Sequence, residues 1–322
     1  MPVTKIVVLD GHALNPGDLS WEPLRTIGEL QVFDRTSADQ VVARAHDAEI
    51  IFTTRTHLPA EILRQLKKTS YIGVIFTGYD VVDVKAAREL SITVTNVPTY
   101  ATSSTAEFAF ALLLELCHHV GLHGEATRAG EWSRSTDISF WKTPLLELAG
   151  KTMGIIGLGR IGQRVAEIAL AFEMRVIAAD EVRSAVPHWP NFRWCEVDEL
   201  MRQADFVSLH CPLFAQTQGM INAKSLALMK SGAFLINTSR GGLVVEQDLA
   251  DALDNGRLAG AAVDVLSSEP PSADNPLLRA KNCIVTPHIA WATTEARTRL
   301  LNTAVANVRA FVDGHPVNVV NK

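Results

Sequence analysis

The segment Met153-Gly-Ile-Ile-Gly157-Leu-Gly159-Arg-Ile-Gly162-Gln-Arg-Val-Ala-Glu narrows the folds open to this chain more sharply than any other stretch. An apolar run of strand type enters the glycines, and an amphipathic helical pattern beginning at Arg160 leaves them. A second strand-like run, 175–180, ends on an acid 18 residues beyond Gly162, close to the spacing of about 20 that separates a glycine turn from a ribose-binding carboxylate. Each glycine has a physical job. Gly157 permits a tight turn, Gly159 lets the backbone approach a pyrophosphate, and Gly162 lets the helix pack closely on the strand. The helix then turns its free N–H groups and positive dipole end towards the phosphates. At Asp180 a carboxylate accepts from a ribose 2′-OH and repels a 2′-phosphate, and Glu181 adds to that repulsion. Arg183 is a nearby cation that a 2′-phosphate could use, but the two adjacent acids favour NAD over NADP.

The chain as a whole accommodates two such α/β units. With 322 residues, 47% hydrophobic and 20% charged, the chain has the composition of an ordinary globular protein and the length for two cores. Strand and helix patterns alternate throughout, without internal repeats. Strands are expected at 5–9, 31–33, 49–52, 71–76 and 92–96, with helices at 59–66 and 83–90 between them. After Pro98 a long apolar helix, 103–116, suits a bridge into a second unit. From Gly150 that unit continues through strands at 206–209, 233–237, 261–264 and 283–286, and an amphipathic helix at 293–312 follows. If this helix returns to the first unit, the cofactor unit is an insertion. The expected class is therefore α/β, with two doubly wound, Rossmann- or flavodoxin-like domains: a substrate domain of 1–100 and 291–322, and a dinucleotide domain of 101–290.

Several function classes find no support. A formal charge of −5 gives no electrostatic reason to expect nucleic acid or an anionic membrane as partner. The N-terminal apolar run stops at Asp10, and Phe108-Ala-Phe-Ala-Leu-Leu-Leu114 reaches Glu115 well short of the ~20 residues a span needs. A cytoplasmic location is expected. Cys117, Cys195, Cys211 and Cys283 lie far apart without a C-x-x-C pair and read as reduced, buried thiols. His118, His119 and His123 invite a metal reading, but Gly121 and Gly124 weaken the helix that would align 119 with 123, and there is no HExxH pattern. No metal is expected.

In open α/β sheets ligands bind beyond the carboxyl ends of the strands, so the polar residues at those ends define a candidate site. His210, Cys211 and Pro212 follow the 206–209 strand, with Thr217 farther along. Thr238, Ser239 and Arg240 follow 233–237, and Gly241-Gly242 leaves room beside the arginine. Asp264 closes the next strand with Glu269 in its loop, and His288 follows the last. Arginine, glutamate and histidine beside a nicotinamide suit hydride transfer between NAD(H) and a 2-hydroxy or 2-keto acid. The keto oxygen must gain a proton, for which histidine is the usual donor. A neighbouring carboxylate favours and orients the protonated ring, and an arginine fork binds the substrate carboxylate and polarises the keto oxygen. The bland alternatives are that Glu269 caps a loop beside Pro270 and Pro271, and that Arg240 pairs with a structural acid.

Taken in order, Gly157-Leu-Gly-Arg-Ile-Gly162, Asn237-Thr-Ser-Arg240-Gly-Gly, Ala262-Val-Asp264-Val-Leu, Ser268-Glu269-Pro and Thr286-Pro-His288-Ile-Ala resemble the D-isomer-specific 2-hydroxyacid dehydrogenases over nearly the whole chain. The resemblance implies catalytic roles for Arg240, Glu269 and His288. It also implies NAD held by Arg160, Ile161, Asp180, Thr238 and Asp264, and substrate carboxylate met by the backbone of Thr77-Gly78. The implied assembly is a homodimer, with an arm between the bridging helix and the glycine turn that carries Trp132 and Trp141. Thr77-Gly-Tyr-Asp80, Phe140-Trp141 and His288-Ile-Ala-Trp291 are similar to the glycerate dehydrogenase, or hydroxypyruvate reductase, branch. Arg55 and Trp291 join Thr77, Gly78, Arg240 and His288 as expected substrate contacts. The expected reaction converts hydroxypyruvate or glyoxylate to D-glycerate or glycolate. The alternatives are a bulkier 2-keto acid or phosphoglycerate, or a non-catalytic NAD sensor resembling the corepressors of this fold. The D assignment comes from the resemblance alone.

Overall fold

The computed structural model describes residues 4–183 and 188–322. It contains two compact units, Met1–Ala101 with Ala292–Lys322, and Thr102–Trp291. The junctions fall one residue later than the sequence reading places them.

The first unit is built on five parallel strands: β1 Lys5–Val8, β2 Glu29–Val32, β3 Ile50–Thr53, β4 Tyr71–Val74 and β5 Thr93–Thr95, in the order β2-β1-β3-β4-β5. Interior strands β3 and β4 are buried at every position, which is why they read as continuous apolar runs. The helix Thr294–Val312 does return to this unit. Phe311 lies against Tyr71 with ring centroids 4.9 Å apart, and Asn307 donates to Asn96 O at 2.9 Å. Buried Arg297 on the same helix keeps its charge by donating to both Asp18 oxygens, at 2.7 and 2.6 Å.

The second unit carries seven parallel strands: β6 Thr152–Ile156, β7 Arg175–Ala179, β8 Phe192–Trp194, β9 Phe206–Leu209, β10 Phe234–Asn237, β11 Gly260–Val263 and β12 Cys283–Val285. Their order is β12-β11-β10-β9-β6-β7-β8, so the winding direction reverses between β6 and β9. Alternate side chains serve two cores. Ile156, Leu209 and Leu235 pack on one face, whereas Ile155, Phe206 and Ile236 pack on the other with the helices Thr102–His118 and Arg160–Ala171. A sheet covered on both sides leaves its strand ends as the place for a ligand, and the reversal opens a crevice there.

Two elements depart from expectation. Edge strand β8 is absent from the sequence reading, and an aromatic ladder, Trp189 to Phe192 to Trp194, supports it at 5.4 and 5.5 Å. The helix Val120–Arg128 forms despite Gly121 and Gly124. His123 supports it, using one ring nitrogen on the N-cap carbonyl, His119 O, at 2.8 Å and the other on Lys142 N–H, outside the helix, at 3.0 Å. Among the described residues no single helix is long and apolar enough to cross a membrane.

Candidate active site

The glycine turn lies at the reversal point. Gly157 has φ +93°, and a Cβ there would sit 2.4 Å from Cys211 N, so the turns after β6 and β9 touch. At Gly162 a Cβ would lie 2.1 Å from Gly157 O, which seats the helix Arg160–Ala171 directly on the turn. Gly159 differs: a Cβ there meets nothing within 4 Å. Its open side is the cradle a pyrophosphate needs, at the N-cap of a 12-residue helix whose first residues are Arg160 and Ile161. Asp180 follows β7 and accepts from Leu158 N–H at 2.6 Å, which holds its carboxylate against the glycine turn. Arg183 is paired with Glu196, so the nearby cation is already neutralised by a partner. The hydroxyl of Thr238, after β10, is buried and has no hydrogen-bond partner among the described residues. A buried orphan hydroxyl marks a place for a further polar group. Cradle, carboxylate and hydroxyl fit NAD.

Around the next turns the chain brings the acid–base residues together. Fully buried Asn237 donates from Nδ2 to Arg240 O at 2.9 Å and accepts Ser239 N–H at 3.0 Å, shaping the turn that presents Arg240. Ser239 Oγ donates to Cys211 O at 2.6 Å and ties this turn to the one after β9. The exposed Arg240 guanidinium donates to Ser239 O at 2.8 Å. Gly241 is obligatory, because a Cβ would lie 1.9 Å from Leu266 C; this contact joins the Arg240 turn to the loop carrying Glu269. In that loop Glu269 Oε1 accepts Leu266 N–H at 3.1 Å, and Oε2 stands 2.6 Å from His288 Nδ1. Their side chains are 26% and 29% exposed, so the pair is half-buried and reachable.

His288 itself occupies the left-handed region, with φ +54°, a conformation that a non-glycine residue keeps only when its surroundings enforce it. Two side chains do so. Asp264, 1% exposed, accepts from Thr286 Oγ1 and Ile289 N–H through Oδ1, at 2.6 and 2.9 Å, and from Ala290 N–H through Oδ2 at 2.8 Å. Trp291 donates its indole N–H to His288 O at 2.8 Å.

Several of the expected site residues also hold the protein's own backbone. Asp264, expected at the cofactor, has both oxygens engaged by the His288 loop. The indole N–H of Trp291, expected at the substrate, belongs to His288 O. Thr217 uses its hydroxyl within its own loop, on Pro212 O at 2.8 Å. Cys211 is buried, and its backbone rather than its thiol meets the glycine turn. His210 bonds Ser208 Oγ at 2.8 Å, and burial pushes its imidazole down to about 4. In the first unit, exposed Arg55 follows β3, and Thr77 and Gly78 come shortly after β4. Asp10, which the sequence reading passed over as a site residue, organises the Arg55 loop by accepting the N–H groups of Thr54, Arg55 and Thr56 at 2.6 to 2.7 Å. The clue was an acid at the end of β1. Asn237 was likewise missed, although it stands directly before Thr238.

Residues 110–290 match the model of the D-isomer specific 2-hydroxyacid dehydrogenase NAD binding domain. Over 321 residues the chain is 51% identical to a hydroxypyruvate reductase of Blautia hydrogenotrophica, covering 99% of this chain and all of that one. It is 37% identical to a glycerate dehydrogenase of Methylorubrum extorquens, with 98% of each covered. Among solved structures, D-lactate dehydrogenase from Aquifex aeolicus complexed with NAD and lactic acid superposes with a TM-score of 0.82 at 29% identity, covering 99% of each chain. The chain belongs to the D-isomer specific 2-hydroxyacid dehydrogenases. It is an NAD-dependent oxidoreductase.

Proposed function

We propose that this enzyme transfers hydride between NAD(H) and hydroxypyruvate or glyoxylate, interconverting them with D-glycerate and glycolate. The observation that carries the reading is the Glu269–His288 pair, set beside the Arg240 turn at the carboxyl ends of a dinucleotide-binding sheet. The hydroxypyruvate reductase and glycerate dehydrogenase relatives support the choice of acid.

NAD would be held by the Gly157–Gly162 turn with Arg160 and Ile161, by Asp180 on the ribose, and by the hydroxyl of Thr238, with the 210–212 turn, Thr217 and Ser239 shaping the wall. Bound NADH supplies the hydride to the keto carbon. The chain supplies the proton. Glu269 engages Nδ1 of His288 and thereby leaves Nε2 to deliver its proton to the keto oxygen as that oxygen gains charge. Arg240, permanently charged, binds the substrate and polarises the carbonyl. Asp264 and Trp291 act through His288 by fixing its loop.

The exposed apolar residues Trp132, Ile138 and Trp141 follow the helix Val120–Arg128 and support a homodimer formed through this arm. Free cysteines, Cys117, Cys195, Cys211 and Cys283, support a reducing, cytoplasmic setting.

The test is oxidation of NADH and NADPH with hydroxypyruvate, glyoxylate, pyruvate and a branched 2-keto acid, alongside His288→Ala. Turnover with NADH on hydroxypyruvate and glyoxylate, reduced about 10²- to 10⁴-fold in the variant, is the expected result. Turnover confined to the other acids overturns the substrate assignment.

A further inference from the structure

Glu246 opens the helix Glu246–Asp254, a few residues beyond Arg240, and its carboxylate reaches across to another loop. Oε1 accepts Ser267 N–H at 2.7 Å, and Oε2 accepts from Asn275 Nδ2 at 2.8 Å. These partners bracket Glu269. Ser267 follows Leu266, whose N–H holds Glu269 Oε1 and whose backbone is the surface on which Gly241 rests. Asn275 is oriented in turn by Leu277 N–H, which donates to its Oδ1 at 3.0 Å. One carboxylate therefore ties both ends of the Glu269 loop to the helix that follows Arg240. The tie matters because residues 267–274 are exposed throughout, so apolar burial cannot set their position.

We propose that Glu246 is a positioning residue for the reaction, holding the 266–275 loop in the place where Glu269 meets His288. The proposal rests on the reading of Glu269 and His288 as the proton-handling pair. Glu246 bonds neither of them. It acts on the backbone that aims Glu269, and misplacement of a catalytic group by about 1 Å costs about 100-fold in rate.

The two bonds give a test by exchange. Glu246→Gln keeps an acceptor for one partner but turns an amide N–H towards the other donor. Asn275→Asp keeps the acceptor for Leu277 N–H but sets a carboxylate against Glu246. Each variant is expected to lower kcat about 10- to 100-fold, to shift the pH profile of kcat towards that of Glu269→Gln, and to leave NADH affinity unchanged. In the double variant Glu246→Gln/Asn275→Asp the amide N–H donates to the carboxylate while the amide oxygen keeps Ser267 N–H. Both ties are restored, and kcat and the pH profile return towards wild type. Single variants with wild-type kcat and pH profile, or a double variant no better than the singles, overturn the proposal. If Glu246→Gln fails to fold, Asn275→Asp and the double variant still decide it. Glu269→Gln separates the two ideas. Where it leaves kcat and pH profile untouched, the reading of the catalytic pair fails; where it impairs both and the Glu246 variants do not, only the positioning role fails.

Discussion

Nδ1 of His288 and Oε2 of Glu269 stand 2.6 Å apart, joining two loops that follow adjacent strands, β11 and β12. With Nδ1 engaged, Nε2 is the nitrogen left to serve the substrate. The carboxylate also fixes the orientation of the ring. Glu269→Gln keeps the size and most of the geometry while removing the charge. Reductive kcat/KM is expected to fall about 10- to 100-fold near neutral pH, a part of the 10²- to 10⁴-fold that general acid catalysis contributes. A variant with wild-type kcat/KM would show that the pair serves packing only.

Trp291 tests whether the left-handed backbone of His288 matters for rate. Its indole N–H is the donor to His288 O, and the ring itself is buried. Trp291→Phe retains a large ring and deletes the donor, which should cost about 1 kcal/mol of stability. Because the lost bond holds the catalytic residue, kcat should drop several-fold while NADH affinity stays the same. A rise in KM with unchanged kcat would instead place Trp291 on the substrate.

The parts legible in the sequence are those set by local chemistry. The β6 turn and helix depend on glycines at fixed spacing, and the acid after β7 lies at a fixed distance beyond them. Strands β9 to β11 are buried on both faces and so read as apolar runs, which made the polar residues at their ends visible as a site. The parts not legible depend on chain returning from afar. β8 has three residues at a sheet edge and no pattern long enough to register. Asp264 ends a strand and so is visible in sequence, but only the fold shows that its oxygens hold residues 22 to 26 positions later. Asn237 and Asp10 hold turns, and only the folded turns identify what they hold.

His210 predicts a particular acid sensitivity. An unfolded histidine takes up its proton near 6.5, whereas burial delays this one to about 4. Between those values the unfolded chain binds a proton that the folded chain does not, so stability falls as pH drops through the window and levels off below it. Above the window both states are neutral and the penalty vanishes. Urea midpoints measured from pH 6.5 down to about 4 should decline more steeply for the wild type than for His210→Gln. Parallel declines would mean that the ring titrates normally.

The glycine turn separates folding from cofactor binding. Gly162 and Gly159 belong to one fingerprint but differ in what surrounds them. A Cβ at Gly162 would press against Gly157 O at 2.1 Å, with backbone that cannot move aside. Gly162→Ala is therefore expected to lower stability by about 2 to 4 kcal/mol, in the range of overpacking and backbone displacement, whether or not NAD is present. At Gly159 a Cβ meets open space within 4 Å, and the residue's φ of −71° suits alanine. Gly159→Ala should melt with the wild type in the absence of cofactor. The methyl group would occupy the cradle, so NADH affinity should fall at least 10-fold, about 1.4 kcal/mol, and the stabilisation that added NADH gives the wild type should shrink with it. Thermal melting of both variants with and without NADH reads the two effects separately. A Gly159→Ala protein that binds NADH normally would mean that the pyrophosphate does not approach the backbone at this glycine.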